Sequence, residues 1–405
     1  MAYFTKKSYG LSSALNERDL QPGRIGLDIL RSDTTDEVYS VIGRRRRNLI
    51  DNGQFRFWQR ATFPGGAASI SVTGAQRIAD RWYMENNAGT HTIETTQSTD
   101  VPVTPNENFH TSLKLEVTTP SSSYPASTGS YVRLRQSIEG WNSKTLEFGN
   151  ARSRNIVLSF WVKSSIPGGY SVTLFGSGLS ANHIVLPYRI AKPNEWQKIV
   201  LNVPRNVQGG ALDATNGKGL DIQFQLARSG SAYISNAASP PNRWGATKLT
   251  TLADQEEWIK TNGATFYLTG VQLEEGNVST PYEYISFDEE YKRMMRYVWR
   301  TGPGNMFIGS WRSSTLAFIH ADYQVPMRAL AAIHSWSNLT LYESGYWGGS
   351  GVSVIDLNGN SNASHGTTFG QPLAVNVSSG GFTDFRPTSL SGAGGGYIVF
   401  DADLY

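Results

Sequence analysis

Flat rings set among amides and charged groups are the chemistry this sequence offers most often. Sugars have apolar faces that stack on aromatic rings, and hydroxyls that need Asn, Asp, Gln or Arg partners. Tyr342, Tyr346 and Trp347 stand in a Gly-rich stretch, and Asn358, Asn360 and Asn362 follow closely in sequence. Trp244 stands in a second loop of this kind, PPNRWG. These residues are candidates for glycan contact; the alternative is that the rings pack between subunits. Trp58, Trp82 and Trp161 sit in strand-like runs and read as core.

Bond-breaking chemistry has little support. There is no cysteine, which excludes disulfides, thiolate metal sites and cysteine nucleophiles. The six histidines are His91, His110, His183, His320, His334 and His365; no two lie at i, i+4 and no HExxH occurs. Bound Ca²⁺ through loop carboxylates and carbonyls stays open. Glycan hydrolysis needs two carboxylates about 5–10 Å apart. Neighbours on a strand, such as Glu274 and Glu275, point to opposite faces and form no such pair. Glu289 and Glu290 read better as charge at a helix start. No GxSxG elbow is present, and GGSG (348–351) and GAGGG (392–396) lack the Lys-Ser/Thr of a phosphate loop. The expectation is a non-enzymatic chain without a catalytic residue or cofactor.

These rings need a scaffold, and composition says which. Charged residues are 17% of the 405, below the usual average of about 25%, while aromatics are 12% and Gly numbers 41. That balance favours strands and tight turns over long helices. From Asn48 onward the texture has period two: Leu113–Leu115–Val117, Val132–Leu134, Ile199–Leu201–Val203, Ile222–Phe224–Leu226 and Phe266–Leu268, with Ile156–Val162 as a buried run. PGG at 64–66 and 167–169, GSG at 176–178 and NGKG at 216–219 supply turns. The pattern predicts a mainly β protein with a jelly-roll β-sandwich over 48–286. A short connecting helix is expected over 287–300, with Asp288 at its start and Tyr291, Met294, Met295 and Val298 as its apolar stripe. A turn or two of helix is expected at 253–261. Residues 301–405 read as a C-terminal β tip whose strands have thin cores and unguarded edges, and such strands find partners in neighbouring subunits.

Residues 1–47 are polar and without sustained period, so they read as an extended arm that orders against a partner or as a disordered leader. Arg44, Arg45, Arg46 and Arg47 can grip a phosphate backbone or a carboxylate-lined socket; the alternative is a solvated linker or inter-subunit ion pairs. A net charge of +3 predicts no general affinity for nucleic acid or acidic membranes. No apolar run approaches the roughly 18 residues that span a bilayer, and the start lacks the apolar core of a secretory signal. The chain is expected to be made in a cytoplasm and to work elsewhere by assembly.

Seven stretches stand out together: NLIDNGQFRFWQRATF (48–63), RIADRWYM (77–84), LSFWVKSS (158–165), EWQKIVLNV (195–203), the run from Phe266 to Trp299, VPMRA (325–329) and FDADLY (400–405). In order and spacing this set resembles tail-fiber, head-fiber and related structural proteins of tailed bacteriophages, over about residues 48–405. The resemblance implies a jelly roll similar to carbohydrate-binding modules, a short helix and a β-rich tip that assembles as a homotrimer. It further implies a place on the virion. Residues 1–47, with the four arginines, would anchor to a portal, adaptor, tail or capsid protein, and the distal part would present a surface to a host-surface glycan. Related jelly rolls often carry acids on the last strand that hold structural Ca²⁺. Here the stretch Tyr267–Glu274 lacks acids just before Val271, which counts against that site. Two other functions stay open: a purely structural capsid-decoration or adaptor protein carrying another fiber, and a glycan depolymerase.

Overall fold

Alternating apolar residues become strands because a pleated chain sends successive side chains to opposite faces. The computed structural model describes residues 48–404, apart from 62–68, 88–90, 122, 126, 128, 232–239, 303, 305, 344–351, 360–365 and 379–384. The arm expected over 1–47, with Arg44, Arg45, Arg46 and Arg47, lies outside these. The first twelve strands are β1 (Ser69–Val72), β2 (Gln76–Arg77), β3 (Tyr83–Asn86), β4 (Thr92–Ser98), β5 (Ser112–Thr119), β6 (Val132–Glu139), β7 (Ile156–Ser164), β8 (Gly168–Gly176), β9 (His183–Ile190), β10 (Gln197–Val203), β11 (Lys218–Gln225) and β12 (Thr265–Glu275). They form two six-stranded antiparallel sheets, β1-β4-β5-β12-β7-β10 and β2-β3-β6-β11-β8-β9. The two sheets face each other as a sandwich. Leu115, Leu158, Phe160 and Phe266 from the first meet Leu134, Val172, Ile222 and Phe224 from the second, all fully buried. Each such side chain contributes about 1.5–3 kcal/mol by leaving water.

Trp58 and Trp82 join this core, and their indole N–H groups donate to Phe55 and Asn52 carbonyls at 2.8 and 3.0 Å. Trp161 does not. It lies half-buried on the outer face of β7, where Nε1 donates to Glu107 at 2.9 Å. Its neighbours Phe160 and Val162 took the inward positions, so strand alternation turned it outward. A short 3-10 turn, Trp258–Lys260, is what forms in the 253–261 stretch.

The C-terminal strands are β13 (Val298–Arg300), β14 (Met306–Trp311), β15 (Leu316–Asp322), β16 (Ala332–Glu343), β17 (Val352–Gly359), β18 (Gly370–Val377) and β19 (Pro387–Asp401). Antiparallel pairing runs β14–β15–β18–β17–β16–β19 and returns from β19 to β14. The ring is closed, with β13 added along the end of β19. The fifteen-residue β19 makes closure possible by serving β14 and β16 together. Trp311, Ile319, Leu341, Leu373, Val375, Leu390, Ile398 and Phe400 fill it. The expectation of unguarded edges is therefore corrected: every strand of the ring has two hydrogen-bonded neighbours, and closure removes the edges.

The helix runs Phe287–Met295, with Asp288, Glu289 and Glu290 in its first turn and Lys292 and Arg293 in its last. It stops five residues short of the expected Arg300. Val298–Arg300 pair instead with Val399–Asp401, and Trp299 stacks on Phe400 at 5.5 Å. Tertiary pairing overrode a sequence that could have continued helical.

Sandwich and barrel meet through buried charge. Arg60 donates to Asp401 at 2.8 Å and to Asp403 at 3.0 Å. Arg77 pairs with the same two aspartates at 3.0 and 3.2 Å. Arg81 donates to Asp51 at 3.2 Å and also pairs with Asp403, while its guanidinium lies 3.7 Å from the Tyr297 ring centroid. Three arginines balance Asp51, Asp401 and Asp403. Asp80 is a surplus carboxyl, fully enclosed, and burial pushes it up to about 6 despite Arg60 and two hydrogen bonds from Gln59. On the helix side, burial likewise outweighs Arg56, 3.2 Å away, and pushes the Glu290 carboxyl up to about 7.

A raised carboxyl holds its proton more tightly in the folded state. Its contribution to stability is complete below the unfolded value of 4.5 and is lost as pH rises through about 7. For Glu290 the loss is about 3 kcal/mol. Glu290→Gln cannot ionise, so it should exceed the parent in stability at pH 8 and lose that advantage by pH 5. Urea denaturation of both proteins across this range reads the difference, and a pH-independent difference would refute it. Asp80 has the same sign but remains in both proteins.

Candidate functional site

Where β6 ends, Glu139 is followed by the one-turn helix Gly140–Ser143. This corner is clamped: Gly140 and Trp141 N–H groups donate to the carbonyls of Gly217 and Thr215 at 2.8 and 2.9 Å. A Cβ at Gly140 would stand 2.4 Å from the Asp213 carbonyl oxygen, so only glycine fits. The clamping loop is itself tied to the barrel side, since Asn216 and Arg328 exchange hydrogen bonds at 2.8 and 3.0 Å. The result is that Trp141 points outward, 51% exposed. Among the described residues no other tryptophan is exposed.

Beside this ring lies a cavity of about 380 Å³, lined by Asp51, Glu139, Trp141, Asn142, Arg293, Arg296 and Tyr297. Glu139 is its floor, with its side chain 2% exposed. Arg296 grips that carboxylate with Nη2 at 2.6 Å and Nε at 3.1 Å, and the Tyr297 hydroxyl donates to it at 2.8 Å. Burial pushes the Tyr297 hydroxyl far up, which keeps it a donor. The Glu139 hydrogen bond is the largest cause that keeps the Arg296 guanidinium charged. The same guanidinium lies 5.5 Å from the Trp141 ring centroid, within cation–π range. Asp51 is engaged by Arg81. Arg293 spends Nη2 on Glu289 at 2.6 Å and leaves Nη1 without an acceptor.

The arrangement suits holding a ligand: an open indole face beside a rim of planar donors fixed by their own ion pairs. Both carboxylates already accept from arginine. Among the described residues no group of three His, Cys, Asp or Glu side chains is placed to hold a metal ion.

The residues expected from sequence fall elsewhere. Trp244 is corrected: it is 4% exposed, packs edge-on against Phe148 at 5.4 Å and donates Nε1–H to the Pro204 carbonyl at 2.7 Å. An enclosed ring offers no face to a sugar. Tyr342 is half-buried on β16 and does not line the pocket, and Asn358 belongs to β17. Tyr346, Trp347 and Asn360 lie outside the described residues. Trp141 was missed. Its signal was the run Glu139-Gly140-Trp141-Asn142 directly after a strand pattern, where a glycine corner turns an aromatic and an amide outward together.

No protein-family model and no curated protein sequence matches this chain. Among solved structures it is similar to the enzymatically active domain of tailspike protein 4 of bacteriophage CBA120, at 16% identity and a TM-score of 0.29, with 56% of this chain and 21% of that chain covered. This chain thus spans about a fifth of the tailspike domain's length. It is also similar to a family 11 carbohydrate-binding module of a cellulosomal cellulase of Clostridium thermocellum, at 12% identity and a TM-score of 0.25, with 51% and 98% covered. A xylan-binding domain from Paenibacillus barcinonensis matches at 9% identity and a TM-score of 0.25, with 52% and 95% covered. At these scores no ligand or reaction carries over to this chain.

Floor and rim of the pocket should separate in their effect on folding. Glu139→Ala leaves the buried Tyr297 hydroxyl and the half-buried Arg296 guanidinium without their acceptor and should cost about 1–3 kcal/mol. Trp141→Ala removes an exposed ring and should cost under about 1 kcal/mol. Guanidinium denaturation of the two variants reads both values, and equal losses would show that Trp141 is a packing residue.

Proposed function

We propose that this chain is a non-enzymatic, glycan-binding subunit of a bacteriophage fiber or spike. Residues 1–47 anchor it to the particle, and the pocket beside Trp141 engages a host-surface glycan. The observation that carries the binding reading is one exposed tryptophan next to a cavity whose polar groups are locked in place before any ligand arrives. Preorganised donors and an immobile ring lower the entropic cost of association. Binding rather than cleavage is favoured because Asp51 and Glu139 are each held by an arginine, an arrangement that serves orientation better than proton transfer. The particle reading rests on the resemblance of the seven sequence stretches to phage fiber proteins.

A homotrimer is part of this reading. Ile308 on β14 and Phe318 on β15 share the outer face of the barrel and are 68% and 40% exposed. Apolar side chains standing outward on neighbouring strands suit burial against another copy.

The full chain should bind polysaccharide extracted from the host surface, and Trp141→Ala should weaken that binding at least tenfold, about 1.4 kcal/mol. The same incubations should release no reducing ends. Undiminished binding by the variant would remove the pocket from the reading, and released reducing ends would overturn the non-enzymatic assignment. On the assembly side, light scattering should give a trimer, not a 44.5 kDa monomer. Deleting residues 1–47 should keep that trimer but prevent its incorporation into particles; incorporation of the truncated chain would end the anchor assignment.

A further inference from the structure

Residues 99–111 leave β4, cross the outer face of the first sheet to β7 and β10, and return to β5. Asp100 accepts from the Trp196 indole N–H at 2.9 Å and from the Lys163 ammonium. Glu107 accepts from the Trp161 indole N–H at 2.9 Å and from the Lys198 ammonium at 2.8 Å. The two contacts share one plan: a carboxylate gripped by an indole and an ammonium from neighbouring strands. Antiparallel pairing builds that plan. Lys198 lies opposite Trp161, and one step beyond the end of β10 Trp196 falls beside Lys163, whose ammonium is 5.2 Å from its ring centroid.

The remaining ties are few. Among the described residues no main-chain hydrogen bond joins 99–110 to another element. The Gln54 side chain reaches the Asn108 carbonyl at 3.5 Å and the His110 N–H at 3.2 Å. Phe109 is seated where Gly270 gives way, since a Cβ there would stand 2.6 Å from its ring. Pro102 and Phe109 are buried, yet neither belongs to the cluster that fills the sandwich. Val103, between them, is wholly exposed. A segment tied by side chains and absent from the core can open while the core stays folded.

Burial works against both charges, but it is outweighed. Hydrogen bonds from Lys163 and Trp196 hold Asp100 below the usual carboxylate range, and those from Lys198, Trp161 and the Tyr282 N–H do the same for Glu107. Tyr267 of β12 is the other titratable group that faces Asp100, with Lys114 and Glu116 of β5 beside it. A lowered carboxyl stabilises the folded form above its unfolded value, here 3.8 and 4.5, and that contribution is lost as pH falls below it.

We infer that residues 99–111 form a charge-latched strap, closed over the outer face of the first sheet by Asp100 and Glu107 and opening, with the sandwich intact, when those carboxylates lose their charge. The half-buried rings of Trp161, Trp196 and Tyr267 stand on this face. Opening frees two indole N–H groups and two ammoniums beside them, a surface suited to a ligand that brings acceptors. The strap thus withholds the face at neutral pH and offers it in acid. None of these residues lines the Trp141 pocket.

The test is thermolysin digestion of the full chain at neutral pH, with cut sites read by mass spectrometry. Cleavage follows the population of the open form when opening and closing are fast. Asp100→Asn and Glu107→Gln should each be cut before Val103 at least about tenfold faster than the parent, because hydrogen bonds to charged groups are among the stronger ones. Lys198→Gln removes the second latch from the sheet side and should match Glu107→Gln. The nicked sandwich should resist further digestion. Unchanged cleavage in the carboxylate variants would overturn the latch, and cuts spreading through β5 to β8 at the same rate would show that the loop opens only when the whole sandwich unfolds. In the parent, the indole N–H signals of Trp161 and Trp196 should shift together in an NMR titration from about pH 6 to about pH 3, while those of Trp58 and Trp82 hold. All four moving at one pH would report acid unfolding and overturn the acid-opening strap.

Discussion

Burying three arginines against three aspartates is the constraint on which the rest of this structure depends. Ions taken out of water lose several kcal/mol of hydration each, and only close, complete pairing offsets that. Arg60, Arg77 and Arg81 come from the start of the sandwich, while Asp401 and Asp403 come from the last residues of the barrel. Neither half can withdraw without separating Arg60, Arg77 and Arg81 from Asp401 and Asp403. The two bodies are thus held in one orientation by a condition that fails all at once, unlike an apolar contact, which weakens gradually with area. Arg81 also carries the effect onward. It touches Asp51, Asp403 and the Tyr297 ring together, and Tyr297 and Asp51 both line the pocket.

The same joint explains why separated stretches of sequence stand out as a set. NGQFRFWQR supplies Arg56 and Arg60; RIADRW supplies Arg77, Asp80 and Arg81; FDEEYKRMMRYVW supplies Glu290, Arg296 and Tyr297; FDADLY supplies Asp401 and Asp403. Arg328 of VPMRA donates to the Ala402 carbonyl at 2.6 Å and ties in Asn216, the loop that clamps the Trp141 corner. Five of the quoted stretches converge on one place. Two others, LSFWVKSS and EWQKIVLNV, pair with each other as β7 and β10 on the far sheet, where Trp161 and Trp196 hydrogen-bond the carboxylates of Glu107 and Asp100.

What was legible in the sequence was whatever local periodicity dictates. β5, β7 and β12 follow from alternation, and the helix start follows from the acids after Ser286. Features set by distant partners were not legible. Tyr297–Arg300 leave the helix because β19 pairs with them, and no local pattern announces a partner a hundred residues away. Barrel closure depends on how β19 is shared between two strands, which is a matter of register and not of composition. Trp244 sits among turn residues and looked exposed, yet Phe148 and the Pro204 carbonyl enclose it. Trp141 follows a strand directly, and the approach of Gly140 to Asp213, a contact between distant residues, fixes the corner that turns it outward.

The joint and the pocket therefore share residues. The pocket draws Asp51, Glu139, Trp141 and Asn142 from the sandwich, and Arg293, Arg296 and Tyr297 from the helix and the turn that leads into the barrel. Separating the two sides would pull Arg296 and Tyr297 away from Glu139, so the rim donors would lose the ion pair that orients them. A ligand held in this pocket would bridge the same boundary that the buried ions bridge. Such a ligand would bind only the closed arrangement and would stabilise the joint by linkage, to the extent that it is bound. Conversely, the ions keep that arrangement populated in the absence of ligand, and a mobile joint would lower the affinity of any ligand that needs it. The pocket thus lies on the seam of the buried charge, and Asp51 and Tyr297 belong to both.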